Sequence, residues 1–490
     1  MSGRTEDTTW AVPLREGLLA AGYGYDAVAG LLGREAHDAL ARNETVPARR
    51  RTAGGSPLET LVRLFLLQVA VPRSAVEAAL PGLVPDLAAG GVLVADDAEV
   101  RALVDCRPYA DDDHDLWVMS DLTPGLDGRP TSVDADHVLG ISPASTSLAQ
   151  LTLRHDVDRA LDLGTGCGVQ ALHLAAHSRT VVATDVNDRA LWLARANAVL
   201  NGADNLDVRH GSLLEPVVGE TFDLVATNPP FVISPPGGDR LTYRDSGLPG
   251  DTVVERIVRD APDHLAPGGW LQVLANWAIH RDQPWDERLG GWLRDDCDAL
   301  VVQREVLDPP SYVELWLKDS GRHGGADYVQ RYDAWLAWFD EQRIEGVGFG
   351  WLNARLRPAG PGGTHRFLEW PHAVEQPVAP AIAAWGSAVG LPVDPDERLL
   401  RRPDVQQETV GAPGAEDPEA VVLRQQRGLM RARRADTVEA ALVGACDGDL
   451  SVGQVLDALA HLLDRPADQV RATYLPVVAE LVEEGFLTRG

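Results

Sequence analysis

The 490-residue sequence has little of what membrane, secreted or metal-binding proteins need. No apolar run reaches the roughly 18 residues of a membrane-spanning helix, and the polar start MSGRTEDTTW lacks the basic and apolar regions of a signal peptide. The four cysteines form no CxxC pair and no zinc-ligand spacing. We therefore expect a cytoplasmic protein without a membrane span and without a metal site.

Positive charge is also scarce. The chain has 44 Lys and Arg residues against 73 Asp and Glu residues, a formal net charge of −29. A nucleic-acid-binding surface needs a positive footprint, so the chain as a whole is a poor match for RNA or DNA. A local basic patch stays open, because the arginines at 424, 427, 431, 433 and 434 have no acidic residue among them.

What the chain does contain is ordinary globular composition, 45% hydrophobic and 24% charged, with a length that suits several domains. Helical patterns ending in a glycine turn and a short strand, near residue 90 and at the C-terminus, are typical of winged-helix domains. We predict a winged-helix-like accessory domain at 1–105, an α/β domain at 106–360, a linker or accessory segment at 361–435 and a second winged-helix-like domain at 436–490.

Strands and helices alternate over residues 136–275, which predicts a parallel sheet. Its strands read as the apolar runs RALDLG, TVVATD, LDVRHG, FDLVATN and GWLQVLAN. Runs this apolar suit a sheet covered by helices on both faces. Three further strand-like runs, at 300–306, 311–317 and 346–356, are expected to supply an antiparallel edge.

The first motif of this α/β domain is a glycine loop, Asp162-Leu-Gly164-Thr165-Gly166-Cys-Gly168, between a predicted strand and a helix. Glycines let the backbone turn sharply and approach a ligand, and the helix N-terminus offers free N–H groups. A glycine loop alone also occurs as a plain tight turn, so its weight depends on the motifs that follow.

Two further motifs end the next strands of the predicted sheet. Asp185 ends TVVATD, where a carboxylate can accept hydrogen bonds from both hydroxyls of a ribose. Asn228-Pro229-Pro230-Phe231 follows FDLVAT. Two prolines cannot continue a strand ladder, so they fix an extended loop at the carboxyl edge of the sheet, where ligands bind in such folds.

With these motifs, residues 136–280 resemble class I S-adenosylmethionine-dependent methyltransferases that carry a [DNS]PP[FYW] motif. This group includes the HemK-type protein-glutamine methyltransferases and enzymes that act on exocyclic amines of adenine or guanine. The resemblance implies an α/β Rossmann-like core with a mostly parallel seven-stranded sheet, flanked here by the two winged-helix-like domains. It also implies S-adenosylmethionine as the cofactor.

The resemblance further implies which residues bind the cofactor. The glycine loop would wrap the methionine part, with Asp162 helping to hold the ammonium group, and Asp185 would bind the ribose. Val186, Ser212 and Leu213 would contact the adenine, although the family often has an acidic residue where this chain has Ser212. The expected cofactor-binding residues are Asp162, Gly164, Thr165, Gly166, Gly168, Asp185, Val186, Ser212, Leu213 and Asn228.

The same resemblance implies that Asn228, Pro229, Pro230 and Phe231 form the catalytic motif. The Asn228 side chain and the Pro229 carbonyl would hold the two hydrogens of a planar NH₂ group, and Phe231 would stack on its plane. The segment 140–152 is expected to close over the cofactor. The loop 232–251 is expected to cover the acceptor site.

The favoured acceptor is a protein glutamine amide of the release-factor type. An exocyclic amine of an rRNA or tRNA base is the alternative, and a small-molecule amine also stays open. A non-catalytic winged-helix binding protein is a remote alternative, because the glycines, Asp185 and Asn228 are intact. The oligomeric state is not predicted.

Overall fold

The computed structural model describes residues 7–110, 114–129, 133–236, 242, 244–245, 247–322, 324–412 and 419–489. The chain folds into two compact units. Unit 1 covers 1–149, 155–293 and 305–352, and unit 2 covers 150–154, 294–304 and 353–490.

Unit 1 begins with a helical region and two small antiparallel sheets. The helices are α1 (Ala11–Ala20), α2 (Tyr25–Leu40), α3 (Val46–Arg51), α4 (Pro57–Leu61), α5 (Arg73–Ala79) and α6 (Val84–Ala89), with a π-helical turn at Val62–Leu66. The strands are β1 (Val71–Pro72), β2 (Leu93–Ala95), β3 (Glu99–Ala102), β4 (Asp105–Ala110) and β5 (Asp115–Ser120). The first three pair in the order β1-β3-β2, and β4 pairs with β5. Helices followed by a short sheet are the pattern predicted near residue 90, and the winged-helix likeness stays a prediction.

The following elements alternate as the βα pattern predicts. In chain order they are α7 (Pro143–Leu151), β6 (Val157–Leu163), α8 (Val169–Ala175), β7 (Ser178–Asp185), α9 (Asp188–Asn201), β8 (Leu206–His210), β9 (Phe222–Thr227), α10 (Thr252–Asp260), β10 (Leu265–His280), α11 (Trp285–Gly290), β11 (Cys297–Leu307), α12 (Pro309–Asp319), α13 (Tyr328–Glu341), β12 (Ile344–Leu356) and β13 (His365–Glu369). Short 3₁₀ turns lie at Leu126–Gly128, Glu215–Val217 and Ala261–His264.

Strands β6 to β13 form one mostly parallel sheet of eight strands, one more than expected. Within unit 1 the strand order is β12-β10-β9-β6-β7-β8. The five predicted apolar runs are all strands. Among them β10 pairs with β9, β9 with β6, β6 with β7 and β7 with β8, each in parallel: Leu161 of β6 lies opposite Val182 of β7 and Val225 of β9. The α/β, Rossmann-like prediction is therefore confirmed.

One predicted strand was wrong. Residues 311–317 belong to helix α12, because Asp308 caps a helix here: its side chain accepts a hydrogen bond from the Ser311 N–H at 2.8 Å. Prolines at the first helical positions also suit a helix start. Tyr312 and Leu317 are buried, so the apolar residues form one face of a helix rather than a strand.

The helical region at the N-terminus shares a hydrophobic core with α9. Leu14 and Leu18 of α1 belong to the same buried cluster as Leu193 and Leu200 of α9. The rings of Trp10 and Trp192 lie 6.1 Å apart within it. Unit 1 thus contains both the segment predicted as an accessory domain and the parallel strands that carry the motifs.

Unit 2 contains residues 150–154, most of β11, the end of β12, β13 and the C-terminal elements. These are α14 (Ala379–Ala388), β14 (Leu399–Arg401), β15 (Val405–Val410), β16 (Ala420–Gln425), β17 (Ala432–Ala435), α15 (Thr437–Ala445), α16 (Val452–Leu462), α17 (Ala467–Glu483) and β18 (Leu487–Arg489). Strand β11 pairs in parallel with β13, β14 with β18 antiparallel, and β15, β16 and β17 form an antiparallel sheet. The described part of the segment 361–435 thus includes the helix α14 and the strands β13 to β17.

Candidate active site

A cavity of about 350 Å³ lies in unit 1, where strands β6, β7 and β9 end. It brings together most of the residues that the sequence singled out. Those that line it are Asp162, Gly164, Thr165, Gly166, Asp185, Val186, Ser212, Leu213, Asn228, Pro229 and Pro230. Gly168 and Phe231 lie outside its lining.

The glycine loop crosses from β6 to α8 with a backbone that needs glycine. Gly164, Gly166 and Gly168 have φ values of 75°, 56° and 87°, in the left-handed region that side chains disfavour. A Cβ on Gly168 would lie 3.2 Å from the Ala194 Cα of α9. Gly168 therefore serves close packing of the loop against α9, which explains its place outside the cavity lining.

Asp185 connects the end of β7 to the glycine loop. Its Oδ2 accepts a hydrogen bond from the Gly166 N–H at 2.9 Å, and its Oδ1 accepts one from the Asn187 N–H at 2.9 Å. Burial raises the pKa of this half-buried carboxyl. Each carboxylate oxygen keeps a further lone pair that can accept a hydroxyl hydrogen. The geometry fits a ribose beside Asp185.

Asp162 is the most buried acid of the cavity, with 2% exposure. Its Oδ2 accepts a hydrogen bond from the Thr165 hydroxyl at 2.5 Å. Burial nevertheless raises the pKa of Asp162 to about 7. The ionised form of this carboxyl would attract a cationic group placed next to it. The ammonium group of the methionine part is a cation of this kind.

Asn228 supplies the clearest unsatisfied group of the site. Its Oδ1 is buried and accepts no hydrogen bond within the part of the chain that the structure describes. The preceding residue is firmly placed, because the Thr227 hydroxyl donates to the Leu163 carbonyl at 2.7 Å. Buried polar atoms in folded proteins nearly always have partners. An orphaned amide oxygen that faces a cavity is therefore a strong candidate for contact with a ligand.

Phe231 packs against α12 rather than lining the cavity. Its ring centroid lies 6.4 Å from that of Trp316, edge to face. Trp335 and Trp351 are buried, whereas Trp316 is half-buried beside the motif.

Two neighbouring charged residues of the loop after the motif form an ion pair. Arg244 and Asp245, both 8% exposed, form a salt bridge of 3.2 Å. The neighbouring Tyr243 lies outside the described residues. Arg244 also donates a hydrogen bond to the Trp316 carbonyl of α12 at 3.0 Å, which holds this part of the loop against that helix.

Sequence reasoning missed the contribution of α10 to the cavity. Val253, Arg256 and Ile257 line it, and their spacing of three and four residues places them on one helix face. That amphipathic pattern was the available signal. From the segment 140–152, Gly140, Ser142, Ser145 and Leu148 line the cavity.

No helix within the described ranges is long and apolar enough to cross a membrane. Nor do the described side chains include a group of three or more His, Cys, Asp or Glu residues that could hold a metal ion.

A doubly wound parallel sheet, a glycine loop after one strand and a carboxylate after the next define a Rossmann-like protein with a nucleotide-type cofactor site. Residues 140–291 match the family described as methyltransferase small domain. This part of the chain is a class I S-adenosylmethionine-dependent methyltransferase domain. Residues 20–103 and 384–489 match two domains of unknown function, DUF7059 and DUF7782.

Curated relatives are similar to the chain over the same region. A release factor glutamine methyltransferase of Xylella fastidiosa is 36% identical over 132 residues, 24% of this chain and 47% of that protein. A ribosomal protein uL3 glutamine methyltransferase of Bradyrhizobium diazoefficiens is 40% identical over 127 residues, 24% of this chain and 40% of that protein. A ribosomal RNA small subunit methyltransferase C of Salmonella arizonae is 28% identical over 194 residues, 39% of this chain and 50% of that protein. The chain spans half or less of each.

Proposed function

We propose that the chain is an S-adenosylmethionine-dependent N-methyltransferase whose acceptor is a protein glutamine side-chain amide of the release-factor type. The observation that carries this proposal is the buried, unpartnered Oδ1 of Asn228 in the cavity that the glycine loop also lines. The names of the glutamine methyltransferase relatives support the choice of acceptor. A cytoplasmic location is part of the same proposal.

The residues of the motif suit a poor nucleophile. An amide nitrogen has a delocalised lone pair and carries two hydrogens. The Asn228 Oδ1 and the Pro229 carbonyl would accept both hydrogens and favour the pyramidal nitrogen of the transition state over the planar ground state, which is differential binding. The product nitrogen sheds a proton readily, so no strong base is needed before attack.

The other cavity residues hold the cofactor. S-adenosylmethionine, when bound, supplies an electrophilic methyl group on a sulfonium. Asp185 would accept hydrogen bonds from the ribose, and ionised Asp162 would lie beside the ammonium. The glycine loop leaves room for the methionine part, because a Cβ at Gly164 or Gly166 would meet no protein atom within 4 Å. Much of the rate then comes from positioning, since aligned reactants at roughly 3 Å react far faster than free ones.

The C-terminal arginines favour the protein acceptor over RNA. Arg433 pairs with Glu439, Glu480 and Glu484, with nitrogen–oxygen distances of 2.6, 3.0 and 3.1 Å. Arg424 forms a bidentate pair with Glu408 across β15 and β16. Charges neutralised inside unit 2 make a weak footprint for phosphates.

An RNA base amine is the second candidate. The Salmonella arizonae relative, named as a ribosomal RNA methyltransferase, is the observation that favours it. The two candidate acceptors can be distinguished by the class of macromolecule, protein or RNA, that carries the transferred methyl group.

The test is transfer of labelled methyl from S-adenosylmethionine into bacterial lysate, followed by ribonuclease or protease digestion. We expect label that resists ribonuclease and is released by protease. Complete enzymatic digestion should yield labelled N-methylglutamine, and acid hydrolysis should release the label as methylamine. The Asn228→Ala variant is the control for enzyme-dependent label. Label lost to ribonuclease would favour the second candidate, and no transfer at all would overturn the enzymatic proposal.

A further inference from the structure

The backbone of Ile233, two residues beyond Phe231, is held from both sides by side chains of the helices α12 and α13. Its N–H donates a hydrogen bond to the Tyr312 hydroxyl oxygen at 2.8 Å. Its carbonyl accepts one from the Trp335 indole N–H at 3.1 Å. Ile233 and Tyr312 have no exposed surface and Trp335 has 6%. Loss of either partner would leave a buried backbone group unsatisfied, which is costly.

Tyr312 also connects this point to the sheet. Its hydroxyl lies 3.4 Å from the Nδ2 of Asn276, a buried residue of β10. The ring of Tyr312 packs among Trp316, Trp335 and Phe339, with centroids 5.9 to 6.5 Å away. The hydroxyl is therefore held in place by the surrounding aromatic rings and by its contact with β10.

The chain between the motif and Ile233 has little freedom. Phe231 forms an antiparallel bridge with Asp245, and the Val232 N–H donates to the Arg244 carbonyl at 3.0 Å. Arg244 in turn donates to the Trp316 carbonyl of α12 at 3.0 Å. Pro229 and Pro230 restrict φ immediately upstream. A displacement at Ile233 is therefore transmitted to Asn228 rather than absorbed.

We propose that Tyr312 and Trp335 are positioning residues for methyl transfer: by holding the peptide groups of Ile233, they fix the angle at which Asn228 and Pro229 present their oxygens to the acceptor. This inference rests on the proposed function. The α12–α13 hairpin, which follows β11 and precedes β12, thereby becomes part of the acceptor site without lining the cofactor cavity.

Conservative variants separate positioning from folding. Tyr312→Phe and Trp335→Phe each remove one hydrogen-bonding group and keep an aromatic ring. Trp338→Phe, also on α13, is the matched control, because Trp338 is half-buried and makes no hydrogen bond to those residues of the loop that the structure describes. A misplacement of about 1 Å costs on the order of 10²-fold in rate. We expect Tyr312→Phe and Trp335→Phe to lower the rate at saturating cofactor by about 10-fold or more, with unchanged cofactor affinity.

Two readouts distinguish this from a general loss of structure. Hydrogen exchange in a peptide covering residues 222–236 should accelerate in Tyr312→Phe and stay at the wild-type rate in Trp338→Phe. In a double-mutant cycle, Tyr312→Phe should cost little further rate once Asn228 is already alanine, because both changes act on the same contact.

The assay is the initial rate of labelled-methyl transfer into the protein fraction of lysate. If the Tyr312→Phe variant transferred methyl groups at the full wild-type rate, this inference would be overturned while the proposed function would stay intact. Additive effects with Asn228→Ala would overturn it too, since Tyr312 would then act elsewhere. No transfer by the wild type would instead overturn the proposed function, and the inference with it.

Discussion

The Gly166 N–H donates a hydrogen bond of 2.9 Å to the Asp185 Oδ2. Two motifs that the sequence presents as separate signals are thus one structural unit, since the carboxylate proposed to bind the ribose also holds the glycine loop. A substitution at Asp185 is therefore expected to affect cofactor binding both directly and through the loop.

The first prediction follows from this bond. Asp185→Ala should weaken S-adenosylmethionine binding by about 10- to 100-fold, since hydrogen bonds to a charged group are worth about 1.5 to 3 kcal/mol. Calorimetric titration measures the affinity. Asp188→Asn is the control, because the Asp188 side chain is 94% exposed on the next helix. Equal affinities in the two variants would contradict the role of Asp185.

The second prediction concerns Gly168. Alanine there requires a φ of 87° and places its Cβ 3.2 Å from the Ala194 Cα, so the loop or α9 must shift. Strain of this kind costs on the order of 1–3 kcal/mol. Chemical denaturation should show that loss of stability, whereas Gly30→Ala, where a Cβ meets nothing within 4 Å, should show none. A Gly168→Ala protein as stable as the wild type would refute the packing role.

The third prediction is a pH dependence set by Asp162. Its folded pKa of about 7 lies above the unfolded value, so the folded protein holds a proton that the unfolded chain has released. The free protein should therefore lose stability as pH rises from about 4 to about 7. Because an ammonium favours the ionised carboxyl, cofactor affinity should instead rise between about pH 6 and pH 7.5. In the Asp162→Asn variant, cofactor affinity should no longer rise over this pH range. If the rise persisted, the pH dependence would belong to another group.

Part of the fold and of the candidate site could be predicted from the sequence, and part could not. The five predicted strands and the position of the motifs at their ends could be predicted, because apolar runs and glycine positions are local signals. The two hydrogen bonds that hold the backbone of Ile233 could not be predicted, because their partners Tyr312 and Trp335 lie about 80 and 100 residues away in sequence. The contact between Phe231 and Trp316 could not be predicted either, because the two residues are far apart in sequence. In addition, the apolar run that contains Trp316 was predicted as a strand, whereas the cap at Asp308 starts a helix there.

The fourth prediction concerns the N-terminal region, residues 1–105, which was predicted from the sequence to be an accessory domain. Leu14 and Leu18 share a core with Leu193 and Leu200 of α9. Removing residues 1–105 would expose that apolar face of α9, the helix that follows Asp185. We expect the truncated chain to aggregate or to lose cofactor binding. A soluble, monodisperse truncated protein with wild-type cofactor affinity would show that the shared core is dispensable.

The last prediction concerns salt and the acceptor. If phosphate contacts dominated acceptor binding, log affinity would fall with log salt at a slope of roughly −0.7 to −0.9 per phosphate contacted. Two arginines of β16 and β17 are paired within unit 2: Arg433 with three glutamates and Arg424 with Glu408. We therefore expect a shallow slope when transfer is measured across salt concentrations. Arg424→Ala should leave labelling unchanged, since its pair lies on an exposed sheet surface where such bonds contribute little. A steep slope that flattens in Arg424→Ala would mean that the arginine prefers phosphate to Glu408, and would point to an RNA acceptor.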